Sequence, residues 1–329
     1  MEFKINFSGT GHRYTKEEIA VVVEAMQNAD PLTQGKHRDA FEKKFCEYNG
    51  NKYAFSLCNA TAALELAAQM CLFKEDDELI APSHTFTSSV YPFIKKGAKV
   101  VWADIDLDTR VVTLESIKKC VTSKTKAIVV VHLYGFIIPD IQQIADFANK
   151  NNILLIEDVA QAMGTSIDGK KAGTFGDFGI FSFHSHKNIT TLGEGGMLTV
   201  KEKKYADIIP MLRHNGHCGF DYERKHYWQP AMGNLDLPSL DGENLLPNNY
   251  CLGEVECALG AKLLDRIDEM NAQKRERAVK FIEALKEFDD LVFHKVDDDR
   301  HNYHLLVAYV KNGKRDEIMK KLVYEKKKK

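Results

Sequence analysis

Seven cysteines, an odd number, lie scattered along the chain with no CxxC pair among them, which excludes a disulfide frame and a zinc knuckle. They read as the reduced thiols of a cytosolic protein. A long apolar run is also missing: no stretch of about 18 apolar residues occurs, and the start, MEFKINFSGTGHRYTKEEI, turns polar at once. Neither a membrane-spanning helix nor a secretory leader is expected, and the expected location is the cytoplasm. Charge of one sign is absent too. Lys+Arg 45 against Asp+Glu 47 gives net −2, a balance that calls for neither a nucleic acid nor a membrane surface as partner. No internal repeat appears, and the first fifty residues hold no basic helix-turn-helix segment. What remains, 44% hydrophobic and 28% charged residues over 329 positions, is the composition of a globular chain with a large core, not of a disordered, collagenous or coiled-coil one.

The first two thirds alternate strand-like and helix-like pieces. Apolar runs at Lys99–Asp104, Ala127–His132, Ile153–Asp158 and Gly179–Phe183 are short and apolar on both faces, as buried parallel strands are, with helical periodicity between most of them. An α/β chain with right-handed βαβ crossovers is predicted. Thr61–Met70, TAALELAAQM, follows a polar CNAT turn and predicts a helix whose N-terminal amides are free to hold an anion. Residues 251–285 carry apolar positions at helical spacing and predict one long amphipathic helix leading into a smaller C-terminal unit. Between the two parts, residues 217–249 form a long loop rich in Gly, Pro, Asn and aromatics, among them Tyr222, Tyr227 and Trp228. The final KKLVYEKKKK reads as a solvated helix end.

Chemistry concentrates in GIFSFHSHKNITTLGEGGM, residues 179–197, where a strand runs into a loop with Ser182, then Lys187, then glycines. The carboxyl end of a parallel strand is where open α/β sheets bind ligands, and a desolvated lysine there can serve as a Schiff-base nucleophile. Taken alone, Lys187 reads rather as one surface lysine among many; its company changes that reading. Upstream, ILLIEDVAQAMG ends a buried strand in Glu157 and Asp158, about 29 residues before the lysine. Such an aspartate can hold a pyridine nitrogen protonated, as a pyridoxal 5′-phosphate enzyme requires, or can merely cap a helix. The N–H groups of Ala60 and Thr61 with the Thr61 hydroxyl suit a phosphate, or a plain cap. Phe86, after a strand end in APSHTFTSS, can stack on a flat ring or belong to the core. His184, His186, His214 and His217 stand in HSH and HNGH spacings, but with no carboxylate or cysteine partner set they predict no metal. Arg213 is a candidate for an acidic substrate group or for the surface.

In this order and spacing, CNATAALELAA, APSHTFTSS, VHLYG, IEDVAQAMG, GDFGIFSFHSHKNITTLGEGGM and NNYCLGEVECALGAKL resemble the DegT/DnrJ/StrS family of pyridoxal-phosphate-dependent sugar aminotransferases over about residues 8–312. The resemblance implies fold type I, the aspartate aminotransferase-like α/β fold. It has a large domain (residues 1–249) around a mostly parallel seven-stranded sheet and a small C-terminal α/β domain (residues 250–329) that ends short of the usual family length. It implies a homodimer with shared active sites, with Lys187 as the Schiff-base lysine and Asp158 as the partner of the ring nitrogen. Gln161 is implied near the cofactor's 3′-oxygen, Phe86 on its ring, Ala60, Thr61 and Ser182 around its phosphate, and Asn249 at the phosphate of the partner subunit. Two departures stand out. Asn59-Ala60-Thr61 replaces the usual SGT or NGT, and Cys251 replaces an arginine common after Asn-Tyr.

The implied activity transfers an amino group, with L-glutamate as donor, to an oxidised sugar. The acceptor is a nucleotide-linked keto sugar or, alternatively, a free oxidised sugar acid of the 8-oxo-3-deoxy-octulosonate type. A dehydratase of the same family is a rival reading, but the resemblance gives those enzymes histidine where this chain has Lys187. A regulatory pyridoxal-phosphate-binding protein is the remaining alternative. Asn234, Asp236, Asn244 and Asn248 in the long loop suit a hydroxyl-rich acceptor, or are simply turn formers.

Overall fold

The computed structural model describes residue 9 and residues 11–216 and 237–322. Its centre is a seven-stranded sheet built from β1 (Tyr53–Leu57), β2 (Glu78–Pro82), β3 (Lys99–Ala103), β4 (Thr125–Val131), β5 (Leu154–Asp158), β6 (Phe178–Ser182) and β7 (Gly196–Val200). The spatial order is β1-β7-β6-β5-β4-β2-β3. Only β7 runs antiparallel to its neighbours, so the carboxyl ends of the other six strands share one edge. The four apolar runs read from the sequence are β3 to β6. Strands β4 to β6 are apolar on both faces because both are covered, and every residue of β6 and β7 is buried, whereas the edge strand β3 leaves Lys99 and Trp102 exposed.

Helix α1 (Lys16–Asn28) begins with a capping box in which Thr15 and Glu18 exchange side-chain and backbone bonds. Helix α2 (Lys36–Asn49) buries Phe41 and Phe45 against Phe181 and Phe183 of the sheet layer, with ring centroids 4.8 Å apart for Phe45 and Phe181 and 5.5 Å for Phe41 and Phe183. Helix α3 (Ala60–Met70) starts where predicted, because Asn59 accepts the Ala62 N–H as N-cap and Ala and Leu follow. Helix α4 (Ile141–Lys150) crosses between β4 and β5.

The stretch 251–285 is two helices, not one. Helix α5 (Glu254–Leu263) stops, and α6 (Ile267–Ala284) restarts after Arg266, whose side chain turns away to pair with Glu18 at 2.5 Å. Helix α5 lies in the main core, and Gly260 lets the Phe41 ring approach so closely that a Cβ there would lie 2.6 Å from it. Farther along, Ala278, Ile282 and Tyr303 make a separate small cluster, flanked by the hairpin β8 (Leu291–Phe293) and β9 (Ala308–Val310). Of the long loop, residues 217–236, and with them His217, Tyr222, Tyr227, Trp228, Asn234 and Asp236, lie outside the described residues; Ser239–Leu240 and Glu243–Asn244 pair as a short hairpin. Among the described residues no helix is long and apolar enough to cross a membrane.

Candidate active site

The shared edge of the sheet gathers the predicted residues. Ser182 ends β6 and is in register with Gly196 of β7, which in turn faces Leu57 at the end of β1. The chain leaves Leu57 through Cys58 and Asn59 into α3, so the helix N-terminus sits beside Ser182. The N–H groups of Ala60 and Thr61 have no hydrogen-bond partner among the described residues. Gly196 lets the start of α3 pack directly on β7: a Cβ there would overlap the Asn59 carbonyl carbon and lie 2.6 Å from the Ala60 nitrogen. A helix N-terminus with free amides, a small residue opposite and a buried serine beside it is a phosphate-sized cradle. Alanine in place of the usual glycine at position 60 costs nothing here, since it is the first residue of an ordinary helix.

Asp158 ends β5, 5% exposed, and is tethered twice: the Ser89 hydroxyl donates to Oδ2 at 2.7 Å and the Ala160 N–H to Oδ1 at 3.0 Å. Thr85 donates in turn to Ser89 Oγ at 3.0 Å. The capping alternative is thus present in the Ala160 bond, but the carboxylate keeps unused lone pairs and no cation is bonded to it.

Lys187 sits in the loop that joins β6 to β7, a tight loop in which Leu192, Gly193 and Gly195 all adopt positive φ. Gly11 clamps this loop from outside, donating its N–H to Ser185 O at 2.8 Å and passing so near that a Cβ would overlap the Lys187 carbonyl. The Lys187 amine has no hydrogen bond or ion pair among the described residues. Burial lowers its proton affinity from the ordinary lysine value, and the nearby charge of Asp158 opposes that shift. This is the electrostatic state of a lysine nucleophile.

Gln161 accepts the Tyr134 N–H on Oε1 at 2.7 Å, a bond made possible by the left-handed backbone of Tyr134 (φ 61). Its Nε2 is thereby left as a free donor. Phe86 is 66% exposed at the mouth of the site, a bare ring at a strand end, not a core residue. Asn249 is exposed on a strand-like segment tied to the body of the protein by an isolated bridge to His214; next to it, Tyr250 O accepts the Cys58 N–H at 2.8 Å, close to the cradle. Arg213 belongs neither to the surface nor to a substrate pocket: it is 3% exposed and its guanidinium meets Glu42 at 2.5 Å and Ser56 O at 3.0 Å. Among the described residues no three His, Cys, Asp or Glu side chains gather as metal ligands.

Three comparisons place this geometry. The profile of the DegT/DnrJ/EryC1/StrS aminotransferase family matches residues 13–327. The chain belongs to this family. A GDP-perosamine synthase of Vibrio cholerae is 33% identical over 273 residues, covering 83% of this chain and 69% of that protein. Among solved structures, Helicobacter pylori PseC, an aminotransferase involved in the biosynthesis of pseudoaminic acid, superposes with TM-score 0.82 at 25% identity over 94% of this chain and 78% of its own. An E. coli GDP-4-keto-6-deoxy-D-mannose-3-dehydratase with bound hydrated PLP has TM-score 0.81 at 23% identity, over 97% of this chain and 83% of that one, and shows the shared fold alone.

The DegT/DnrJ/EryC1/StrS enzymes of this fold use pyridoxal 5′-phosphate, and the residues present fit it. The free amides at the start of α3 suit a phosphate, the exposed Phe86 ring a flat heterocycle, the half-satisfied Asp158 a cationic ring nitrogen, and the unpaired Lys187 amine an aldehyde. The sequence reading missed the partners that hold these groups. Ser89 stood in the APSHTFTSS motif without a role. Asn188, Lys274 and His304, which surround the lysine loop, carry no motif signal except that Asn188 follows Lys187.

Proposed function

We propose that this aminotransferase moves an amino group from L-glutamate to a nucleotide-linked keto sugar, in the making of amino sugars for surface polysaccharides. The observation that carries the reading is the half-buried, unpaired Lys187 beside the doubly tethered Asp158 at the edge where the cradle opens. The likeness to a GDP-perosamine synthase supports the sugar acceptor. Ala60, Thr61 and Ser182 would hold the cofactor phosphate, Phe86 its ring, Gln161 Nε2 its 3′-oxygen and Asp158 its ring nitrogen. When bound, pyridoxal phosphate supplies an electron sink and a carrier for the amino group.

The protein's part is positioning and proton transfer. Lys187 Nζ, whose uncharged form is favoured by burial, takes the proton that leaves the donor α-carbon and delivers one to the reacting carbon of the sugar in the opposite half. Asp158 is held in place by Ser89 and the Ala160 N–H, which both donate to it, and keeps acceptor capacity for the ring nitrogen. A histidine in place of Lys187 is what the dehydratase reading needs, and Lys187 favours transamination. The active unit is read as a homodimer with Asn249 reaching the partner's site; the exposed Ile19, Val23 and Met26 stripe of α1, with Leu32, offers an apolar face for it.

The deciding experiment incubates the enzyme with pyridoxal phosphate, L-glutamate and a panel of nucleotide-linked keto sugars, free oxidised sugar acids and branched-chain keto acids, and identifies amino products by mass. A higher kcat/KM for the keto acids would overturn the sugar assignment. Sedimentation as a fully active monomer would overturn the dimer.

A further inference from the structure

Lys274, on the face of α6 turned toward the lysine loop, is a half-buried cation with no counter-ion among the described residues. Its Nζ makes a single hydrogen bond, to Asn188 Oδ1 at 3.2 Å, although an ammonium has three protons to give. That same oxygen lies 3.3 Å from His304 Nδ1. The orientation of Asn188 is fixed by a chain: its Nδ2 donates to Asn271 Oδ1 at 2.7 Å, and Asn271 Nδ2 donates to Met163 O at 2.9 Å. Asn188 therefore presents an acceptor, and two basic side chains converge on it one residue after Lys187.

The surroundings add positive charge and little negative. His304 feels Lys187, Lys274 and His186, and its proton affinity falls to about 3, with burial the largest cause. Burial brings Lys274 down to about 8. His12, brought in by the Gly11 clamp, is near enough to feel Lys274, and its Nε2 is buried with no partner among the described residues. Glu18, whose charge His12 feels, is taken by Arg266 at 2.5 Å and by the helix cap at Thr15. A partly desolvated ammonium left without a counter-ion is costly, and one such cation with a neutral imidazole and an unpartnered His12 Nε2 near it, beside a reactive lysine, has the composition of an anion pocket.

We propose that Lys274, with His304 and the Asn188 that aligns them, binds the α-carboxylate of the amino donor. The inference rests on the aminotransferase reading above and assigns the donor's subsite. Distance from the reacting atom selects the carboxylate. In an amino acid it is attached to the very carbon that gives its proton to Lys187, whereas in a nucleotide-linked keto sugar the diphosphate stands across the sugar ring from the carbonyl. A cationic pocket adjoining Lys187 matches the first.

The test measures steady-state constants for holoenzyme variants with L-glutamate and with the keto sugar found for the wild type. Lys274→Gln is expected to raise KM for L-glutamate by about tenfold or more, the loss of one charged hydrogen-bonding partner, while KM for the keto sugar stays within about twofold. Lys274→Arg should recover most of the affinity. Asn188→Asp supplies Lys274 with an internal carboxylate, at the cost of the bond donated to Asn271, and should likewise raise KM for L-glutamate, with the melting temperature of each variant checking that it folds. A rise in KM for the keto sugar alone would reassign the pocket to the diphosphate; unchanged KM values, or a fall in kcat alone, would overturn the subsite. A wild type that ignores L-glutamate but accepts another amino acid breaks only the donor assignment, and the same variants are then read against that amino acid.

Discussion

Two neighbouring carboxylates on one strand have opposite fates. Glu157 is fully buried and saturated: it accepts the N–H groups of Gly173, Phe175 and Gly176 at 2.7–2.9 Å and faces His132 Nε2 at 3.0 Å. His132 Nδ1 accepts the Ile138 N–H, so the ring is the neutral tautomer with its proton turned toward Glu157. Asp158, one residue on and therefore on the other face of the sheet, accepts only two bonds. The difference separates a group that closes a loop from a group left with capacity for a ligand. Burial and a charge do not by themselves mark a catalytic residue; unfilled acceptor sites do.

The sharpest way to test that distinction begins with the lysine that Asp158 serves. Lys187→Ala should abolish turnover and the visible absorbance of lysine-linked cofactor, with the melting temperature of the cofactor-free protein essentially unchanged, because the Lys187 amine makes no structural bond. A variant that keeps both signals would remove Lys187 from the chemistry. Next in size, Asp158→Asn should keep the fold and bind pyridoxal phosphate, yet lose on the order of a hundredfold or more in kcat, since an amide cannot hold a ring nitrogen protonated. Activity within about threefold of wild type would leave Asp158 as no more than a cap on Ala160.

The mirror experiment is Glu157→Gln. Here the amide must place an NH2 group where two backbone N–H groups or a histidine N–H donate, so about 2–4 kcal/mol of stability should go, read by urea denaturation. Any loss of activity should follow the unfolded fraction. If Glu157→Gln were as stable as wild type but inactive, and Asp158→Asn unstable but active, the comparison would be reversed.

How far the sequence carried this distinction depends on chain separation. The strands β3 to β6, the start of α3 and the placing of Ala60, Phe86, Asp158, Ser182 and Lys187 on one edge were legible, because each is set by a local run of apolar residues ending in a polar turn. What was not legible was made by partners far apart. Ser89 reaches Asp158 across 69 residues, Lys274 reaches Asn188 across 86, and Arg213 finds Glu42 across 171. No periodicity encodes such pairs. The helical pattern over 251–285 also misled, since apolar spacing continues through the break at Arg266, whose partner Glu18 is distant in the chain.

The smallest effect expected concerns acid. His301 is 4% exposed and stacked on Tyr303 with ring centroids 3.9 Å apart, and its Nδ1 accepts the Tyr303 N–H at 3.0 Å, a bond that only the neutral ring can make. Burial, aided by His294, brings its proton affinity down to about 3 from the ordinary 6.5. The unfolded chain therefore takes a proton at a pH where the folded chain does not. Stability from this group is complete above about pH 6.5 and is lost as pH falls toward 3, at up to about 1.4 kcal/mol per pH unit. Denaturant titrations at pH 7, 6 and 5 should show this decline, and His301→Gln, less stable than wild type at pH 7, should show a shallower one. Parallel slopes for the two proteins would mean that His301 titrates alike in the folded and unfolded chains, and that the buried stack with Tyr303 does not hold it neutral.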